Sequence, residues 1–566
     1  MLSSAFSSVA SSVLFGALVE STETDGGGRR QRRRMRAHSQ VNLTVADEDD
    51  VGTFWHVTDW HLNDFQPMDP NPCDMCRSST TASSRKTCKQ PPVGPHGHVE
   101  CDPPASFWRE AVELMKHAES SPDFILAGGD WIGHVPKHME GPSALRSAAT
   151  LLAVLLHEAF PRVPTLHALG NHDTWPYYSA SASTWMDWEE GWRSEPRLGA
   201  GYVAAQFPDD ALALWRGGGY YARVLWQQHH HPHPRQQSQQ QHRLWGLVLN
   251  TNDLAITGGA RQCRWLARTL SALRAAGDTA IVLGHIPPGP SHFELDSICA
   301  RGHYYQAAGG ACWEASGQAR LLHMLTSYAD VVSASFFGHH HTDSVRVLTD
   351  SYRMGSRNGA APARGWAERA RGGGTLEEVD AAAAMGGGVG AARHVMYLTP
   401  ALTPRNPPHP PSLRLYRYSR RTGAPIDFVD YTIDLEAANA RTHGGGDGGS
   451  GARGGNVGGN GLWRRVASAL HSPPLNLSAL TPTEWQRALR RLLDADHRPT
   501  ATDELSPSDP FFDWVSAARC AREAYVGSGR KEVPPLRKCK LAHLCAALHV
   551  DDAGYAACIG QPLRPQ

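Results

Sequence analysis

Five short motifs rich in histidine and carboxylate residues each stand directly after an apolar, strand-like run of the chain. Side chains that follow neighbouring strands of an α/β sheet meet at one edge, so these widely separated motifs are expected to converge on one crevice. The strand-like runs are residues 54–58, 124–127, 165–169, 280–283 and 331–337. The motifs that follow them are Asp59-Trp60-His61, Gly129-Asp130, Gly170-Asn171-His172-Asp173, Gly284-His285 and Gly338-His339-His340-His341.

The donor types in these motifs suit a site for two metal ions. Carboxylate oxygens, imidazole nitrogens and one asparagine carbonyl oxygen are ligands for zinc, manganese or iron. Two such ions can polarise a phosphoryl group and convert a water molecule into hydroxide for in-line attack. A single Gly-His or Asp-x-His motif is usually only a turn or a chance occurrence, but five in this order indicate a site. The motifs therefore predict hydrolysis of a phosphate ester.

In these motifs the chain resembles the calcineurin-like metallophosphoesterase superfamily and, within it, the acid sphingomyelinase-like phosphodiesterases. Residues 54–61, FWHVTDWH, resemble the first metal motif of that family, and residues 170–176, GNHDTWP, resemble the third. The resemblance implies a metal-dependent phosphoric ester hydrolase of the phosphodiesterase type. Further similarity lies in residues 398–404, 413–418, 422–423 and 539–558.

The resemblance also implies a role for each residue of the site. Asp130 would bridge two divalent metal ions, which family membership leads us to expect to be zinc. His172 would bind a phosphoryl oxygen or protonate the leaving oxygen, and His134 matches a second such histidine. Asp173 would orient a ligand or His172 from behind, or be a plain turn carboxylate. The first ion would be held by Asp59, His61 and His341 and the second by Asn171, His285 and His339, with His340 pointing away.

Alternating strand-like and helical patterns predict an α/β layered metallophosphoesterase fold, with central mixed β-sheets flanked by helices and a small helical, disulfide-bearing C-terminal module. Helices are predicted at 106–118 and 143–160. Later strands at 395–399, 413–418 and 428–435 are expected to complete the second half of the sheet. The predicted regions are a signal or disordered N-terminal region at 1–50, a catalytic domain at 51–436 with low-complexity insertions at 227–242 and 351–393, a Gly-rich linker and helical segment at 437–504, and the C-terminal module at 505–566.

Cysteine usage and two glycosylation sequons, at Asn42 and Asn476, predict a secreted protein or one of a lysosome-like lumen. The apolar run at 13–19 has no basic residue before it, and suits a disordered start as well as a signal peptide. Cys263 lies in a helical stretch and is expected to be a buried thiol outside any disulfide. The other ten of the eleven cysteines can pair locally. They are Cys73, Cys76, Cys88 and Cys101, then Cys299 and Cys312, then Cys520, Cys539, Cys545 and Cys558.

Charge and hydropathy narrow the range of partners. The 55 basic and 55 acidic residues give a formal charge of zero, which provides no general attraction to nucleic acid polymers or anionic membranes. No run approaches the roughly eighteen apolar residues of a membrane-spanning helix, so no transmembrane anchor is expected. We expect a monomer that binds a small-molecule phosphodiester, with a lipid headgroup among the candidates.

The sequence leaves two substrate classes open. True acid sphingomyelinases carry an N-terminal saposin-type domain, whereas the stretch before the first motif contains no cysteine. This favours soluble nucleotide-like or choline-phosphate substrates. The alternative is a sphingomyelin phosphodiesterase that releases phosphocholine and ceramide.

Two other classes of protein fit this sequence less well. A catalytically inactive secreted binding protein would be marked by missing ligands, and all seven ligand positions are filled here. A cytosolic protein phosphatase would share the motifs, but the cysteine pattern argues against it.

Overall fold

The computed structural model of this protein describes thirteen stretches of the chain. The predicted insertions at 227–242 and 351–393 lie largely outside them, as does the N-terminal region apart from residue 50. Asn42, Cys299, Cys312 and Cys520 also lie outside the described residues. The described residues are 50–64, 68–180, 183–228, 242–290, 315–352, 390–405, 409–443, 456–457, 462–466, 475–496, 536–550, 555 and 558.

The described strands form two mixed β-sheets, as predicted. The strands are β1 Val51–Val57, β2 Phe124–Ala127, β3 Thr165–His167, β4 Tyr221–Gln227, β5 Arg243–Val248, β6 Thr279–Leu283, β7 Val332–Phe337, β8 Ser344–Thr349, β9 Ala392–Leu398, β10 Ser412–Ser419, β11 Pro425–Ile433, β12 Asn456–Val457 and β13 Trp463–Arg465. The first sheet has the order β12-β13-β11-β10-β1-β2-β3, and the second has the order β4-β5-β6-β7-β9-β8.

The strands that carry the motifs are parallel neighbours. In the first sheet β1, β2 and β3 run parallel, and in the second sheet β5, β6, β7 and β9 do so. All four residues of β2 are buried, which explains why this strand reads as a continuous apolar run, since parallel strands are covered on both faces. The carboxyl ends of these strands therefore form the edge at which the motifs stand.

The strands predicted at 395–399, 413–418 and 428–435 divide between the two sheets. The expectation that all three complete the second half of one sheet was therefore wrong. β9 pairs with β7 and β8 in the second sheet. β10 instead pairs antiparallel with β1, with Phe54 opposite Tyr416, and β11 pairs with β10. The chain crosses back after β9 because the apolar face of β10 completes the core beside β1.

A shared aromatic core joins the two sheets face to face. The ring of Phe54 stacks on Phe124 and Tyr416, with centroids 4.7 and 4.9 Å away. Phe336 of the second sheet meets Phe54 edge-on at 5.3 Å. Such packing is worth about 0.5–1.5 kcal/mol per pair beyond the apolar burial. The two sheets are thereby held together between the middle of β1 and the end of β7.

Helices cover the outer faces of the sheets. Both predicted helices are present, and the second begins with Pro142, whose fixed φ suits the first helical turn. Cys263 lies buried in α8, as expected. The helices are α1 Ala82–Thr87, α2 Ala105–Ala118, α3 Pro142–Ala159, α4 Ser183–Ser194, α5 Gly199–Gln206, α6 Asp209–Gly218, α7 Thr251–Thr257, α8 Ala260–Ala276, α9 Ala315–Ser327, α10 Leu435–His443, α11 Pro482–Asp496 and α12 Leu536–Leu548.

The C-terminal part of the chain is helical and bears a disulfide, as predicted. Cys545 of α12 is bonded to Cys558, and α12 packs on α11 and β8. Val550 is fully buried and lies in the apolar core of the second sheet. Its N–H donates to the Tyr352 hydroxyl at 3.1 Å, and its carbonyl accepts from Gln318 at 3.2 Å. This region is therefore part of the support of the second sheet.

Two disulfides fix the segment between β1 and α2, joining Cys73 to Cys88 and Cys76 to Cys101.

The segment at 437–504, predicted as a Gly-rich linker and helical segment, contributes β12 and β13 to the first sheet. Among the described helices, none has the length and apolar character needed to cross a bilayer.

Candidate metal centre

The five motifs meet at the carboxyl ends of the two sheets. Three follow β1, β2 and β3 of the first sheet, and two follow β6 and β7 of the second. The motif residues turn sharply in left-handed backbone conformations that side chains other than glycine rarely adopt, and such conformations cluster at functional sites. These residues are Asp59 (φ 53°), His61 (φ 43°), Asp130 (φ 55°), His339 (φ 69°) and His341 (φ 57°).

Close backbone contacts hold the loops together, and two glycines permit them. The N–H of His61 donates to the Asp130 carbonyl at 2.9 Å. A Cβ on Gly170 would lie 2.0 Å from an oxygen of Asp130, and a Cβ on Gly338 would lie 2.1 Å from the Thr58 hydroxyl. Glycine is therefore required at both positions, because any side chain would push two motifs apart.

One group of donor atoms combines the first motif with the last. Asp59, His61 and His341 each offer a ligand atom, and these atoms lie within 4.8 Å of one another. The two imidazole Nε2 atoms are 3.2 Å apart, and Nε2 of His341 is 3.3 Å from Asp59 Oδ1. This group has the ligand types and spacing to hold a metal ion.

A second group lies beside the first. Asp130, His285 and His339 likewise bring their ligand atoms within 4.8 Å of one another. Nε2 of His285 is 3.1 Å from Oδ1 of Asn171 and 3.2 Å from Oδ2 of Asp130. The same Asp130 oxygen is 3.4 Å from Nε2 of His61. Asp130 thus faces both groups.

Carbonyl acceptors behind two imidazoles determine which nitrogen faces the site. His285 Nδ1 lies 2.8 Å from the Gly128 carbonyl, and His341 Nδ1 lies 2.6 Å from the Arg405 carbonyl. A carbonyl can only accept, so Nδ1 carries the hydrogen in both rings. In the neutral rings Nε2 then has a lone pair directed at the carboxylates, which is the form that binds a metal ion.

The electrostatics of the site favour a bound cation. Burial alone would lower the pKa of His285, but the Asp130 carboxylate beside it raises that pKa to about 9. Burial likewise opposes protonation of His341, whose pKa the Asp59 carboxylate raises. The buried carboxylates thus draw positive charge toward themselves. Divalent ions supply this charge, and the donor set fits them.

His172 and His134 lie beside the first group. Their ring centroids are 4.4 Å apart, and that of His172 is 4.9 Å from His61. The backbone N–H of His172 donates to Asp130 Oδ1 at 2.8 Å. Burial, followed by the nearby His134, holds the pKa of His172 well below its ordinary value. Both rings thus lie next to a donor of the first group.

Asp173 supports the backbone around Asp130. Its buried carboxylate accepts from the N–H groups of Asp130 at 2.6 Å, Trp131 at 2.8 Å and Gly170 at 2.8 Å. Burial and the adjacent Asp130 raise the pKa of Asp173 to about 7. The described hydrogen bonds of Asp173 therefore reach backbone groups, among them the N–H of the predicted ligand Asp130.

The remaining motif histidine lies apart from the donor groups. The His340 ring is buried, and His340 belongs to none of the donor groups found among the described residues.

Three residues that support the site were not predicted from the sequence. Asp102 accepts from His134, Thr403 donates to Asp102, and the Thr251 hydroxyl accepts from the N–H of His285 at 3.3 Å. Asp102 directly follows Cys101, and Thr403 lies in the segment at 398–404 that resembles the family. Both positions carried a signal, but neither residue type by itself indicates a site.

Comparison with known proteins bears on the identity of this centre. Residues 52–343 match the family model described as calcineurin-like phosphoesterase. The chain belongs to the calcineurin-like phosphoesterase family. This family binds divalent metal ions, in agreement with the two donor groups.

Several curated proteins are similar to this calcineurin-like phosphoesterase. Acid sphingomyelinase-like phosphodiesterase 3b of Homo sapiens is 27% identical over 69% of this chain and 72% of its own. Cyclic GMP-AMP phosphodiesterase SMPDL3A of Homo sapiens is 22% identical over 90% of each chain. Sphingomyelinase phosphodiesterase C of Dictyostelium discoideum is 23% identical over 70% of this chain and 76% of its own. The predicted enzyme class, a metal-dependent phosphodiesterase, is confirmed.

Proposed function

We propose that this chain is a secreted or lumenal phosphodiesterase with two metal ions that hydrolyses soluble nucleotide-like or choline-phosphate substrates. The observation that carries the proposal is the position of Asp130. One of its oxygens lies within 3.4 Å of an imidazole from each donor group. A carboxylate so placed can bridge two ions a few Å apart, which is the arrangement that two-metal phosphoryl hydrolysis uses.

Each ion would have its own set of ligands. Asp59, His61 and His341 would hold one, Asn171, His285 and His339 would hold the other, and Asp130 would contact both. When bound, the pair would supply Lewis-acid activation of the phosphoryl group and of the attacking water. We propose zinc, because these nitrogen and oxygen donors suit it, although manganese or iron would accept the same set.

The histidines beside the first group would act on the substrate itself. His172 would hydrogen-bond a phosphoryl oxygen or the leaving oxygen, because its backbone is fixed to Asp130 and its ring lies against His61. His134 would contact the same oxygens from the more open side, where about a quarter of its side chain is exposed. Such groups contribute roughly 10²–10⁴-fold to rate.

The substrate class draws support from the similar proteins. The relative that covers the largest share of this chain among those named above is called a cyclic GMP-AMP phosphodiesterase, which favours a nucleotide-like substrate. The Dictyostelium relative is called a sphingomyelinase phosphodiesterase. That name keeps a second candidate open, a sphingomyelin phosphodiesterase that releases phosphocholine and ceramide.

Disulfides and one sequon support the proposed compartment. The three described disulfides form and persist in oxidising environments. Asn476 is exposed, as a glycosylated asparagine must be. We therefore propose a glycoprotein that enters the secretory route and acts as a monomer.

Product analysis tests the proposal. The purified protein would be incubated with a cyclic dinucleotide, with ATP and with micellar sphingomyelin, each with and without a chelator. Chelator-sensitive release of nucleotide or phosphate without phosphocholine would support the soluble-substrate proposal. Phosphocholine release would establish the lipid candidate instead, and metal-loaded protein without turnover on any of the three would contradict both.

A further inference from the structure

We propose that Asp102 is a positioning residue of the active site: it fixes the His134 ring through Nδ1 and leaves Nε2 facing the substrate. This inference rests on the proposed function and adds to it a residue outside the five motifs. Asp102 belongs to neither of the two donor groups that contain a carboxylate. Its effect on turnover would therefore pass through His134.

The contact between the two residues fixes both position and tautomer. One oxygen of Asp102 accepts from the backbone N–H of His134 at 2.7 Å and faces its Nδ1 atom at 2.9 Å. An ionised carboxylate has no hydrogen to donate, so Nδ1 carries the hydrogen in this contact. Only Nε2 of His134 then remains for a substrate oxygen.

The His134 ring itself lies at the site. The His134 ring is nearly parallel to that of His61, with 12° between the planes and 5.1 Å between the centroids. His61, His134 and His172 each bring a ring nitrogen within 4.8 Å of the others.

The carboxylate is itself held in place. Its second oxygen accepts from the Thr403 hydroxyl at 3.0 Å, and the Thr403 N–H donates to the Asp59 carbonyl at 2.9 Å. A Cβ at Gly133 would come within 2.8 Å of Asp102, so the glycine admits the carboxylate beneath the loop. The preceding residue, Cys101, is fixed by its disulfide with Cys76. Such preorganisation is what keeps a ring aligned with a reacting oxygen.

A double-mutant cycle tests the assignment. Wild type, Asp102→Asn, His134→Ala and the double variant would be assayed with bis(p-nitrophenyl) phosphate and with ATP. We expect each single variant to lower kcat by roughly 10²-fold. The double variant should be no slower than His134→Ala alone, because Asp102 acts through that ring. Metal content, measured by elemental analysis, should stay at the wild-type value in all four.

A matched control is provided by Glu110 on α2. Its carboxylate faces His96 Nδ1 at 2.8 Å and accepts from Trp463, so Glu110→Gln removes the same kind of contact away from the site. We expect kcat to stay at the wild-type value in this variant. An equal loss of kcat in Glu110→Gln would show a general effect of breaking such pairs and would overturn the assignment.

Three further outcomes would contradict the proposal. Normal kcat in Asp102→Asn would show that the contact is dispensable. Multiplying losses in the double variant would show that Asp102 acts independently of His134, and loss of metal would show that it acts on the donor groups. If Asp102→Asn does not fold, His134→Ala and Thr403→Val decide, since normal kcat in His134→Ala leaves nothing to position. A wild-type protein without metal-dependent turnover would instead overturn the proposed function.

Discussion

The two sheets meet at one metal-binding edge but support it with different chemical groups. Around the first sheet the supports are carboxylates: Asp173 binds three backbone N–H groups, and Asp102 binds His134. Two ligand rings from the second sheet, those of His285 and His341, rest instead on backbone carbonyls. A carbonyl fixes the tautomer without adding charge, so those imidazoles remain good metal ligands. Negative supports are concentrated instead where backbone and substrate-facing histidines must be held.

The largest effect is expected where the two sheets share one ligand. In Asp130→Asn, the residue that faces imidazoles from both sheets loses its negative charge while its size is kept. We expect turnover to fall by at least roughly a thousandfold with the fold intact. Steady-state kinetics, near-ultraviolet circular dichroism and metal analysis would measure this. Near-normal activity would contradict the bridging role and would show that the two donor groups do not depend on a shared ligand.

A somewhat smaller effect is expected at His172, a residue of the first sheet's loops that belongs to neither carboxylate-containing donor group. His172→Ala should retain the metal ions but reduce turnover by roughly 10²–10⁴-fold, because it removes only a contact to substrate. Metal analysis beside kinetics distinguishes this from ligand loss. If His172→Ala lost its metal ions, His172 would have to be a metal ligand. The first sheet would then supply more ligands than we propose.

The next test compares a carboxyl support with a hydroxyl support. Asp173→Asn leaves one backbone N–H facing an amide donor, whereas Thr251→Val removes the hydroxyl acceptor of His285 and Ile286. Each stranded N–H costs about 1–3 kcal/mol of unfolding free energy. Thr251→Val strands two, whereas Asp173→Asn strands one but sets an amide N–H directly against it and weakens the two hydrogen bonds that remain. We expect the larger loss in Asp173→Asn. Denaturant titration gives both values, and a larger loss in Thr251→Val would reverse the comparison.

The residues at the metal-binding edge could be predicted from the sequence, whereas the residues that support them could not. The physical reason is that the supports depend on contacts between residues far apart in the chain. Asp59, Asp130 and His285 follow apolar strands, so local pattern alone placed them at one sheet edge. The partnership of Asp102 with Thr403 joins residues about three hundred positions apart, and no local pattern reports such a contact. β10 was predicted as a strand, but its place beside β1 depends on the aromatic packing of Phe54 and Tyr416. Residue type indicates the ligands, whereas only tertiary structure reveals what holds them.

The smallest effect should be alike in both sheets, because it arises away from the metal edge. Each sheet buries a neutral histidine that can be tested: His167 in β3, next to Tyr202, and His394 in β9, next to Ser335. The first sheet also buries His56 in β1, which is left unchanged in this comparison. Burial lowers the pKa of His167 to about 3 and that of His394 to about 4. In the unfolded chain both would titrate near pH 6.5.

The unfolded state therefore binds more protons than the folded state between about pH 6.5 and 4. Stability should be complete above this window and fall as the pH decreases through it, by up to about 1.4 kcal/mol per pH unit for each histidine. Denaturant titrations of the chelated protein across the window would measure the slope. His167→Gln and His394→Gln should each flatten the slope by a similar amount. A change in only one of them would show that the sheets differ in acid sensitivity beyond the metal edge.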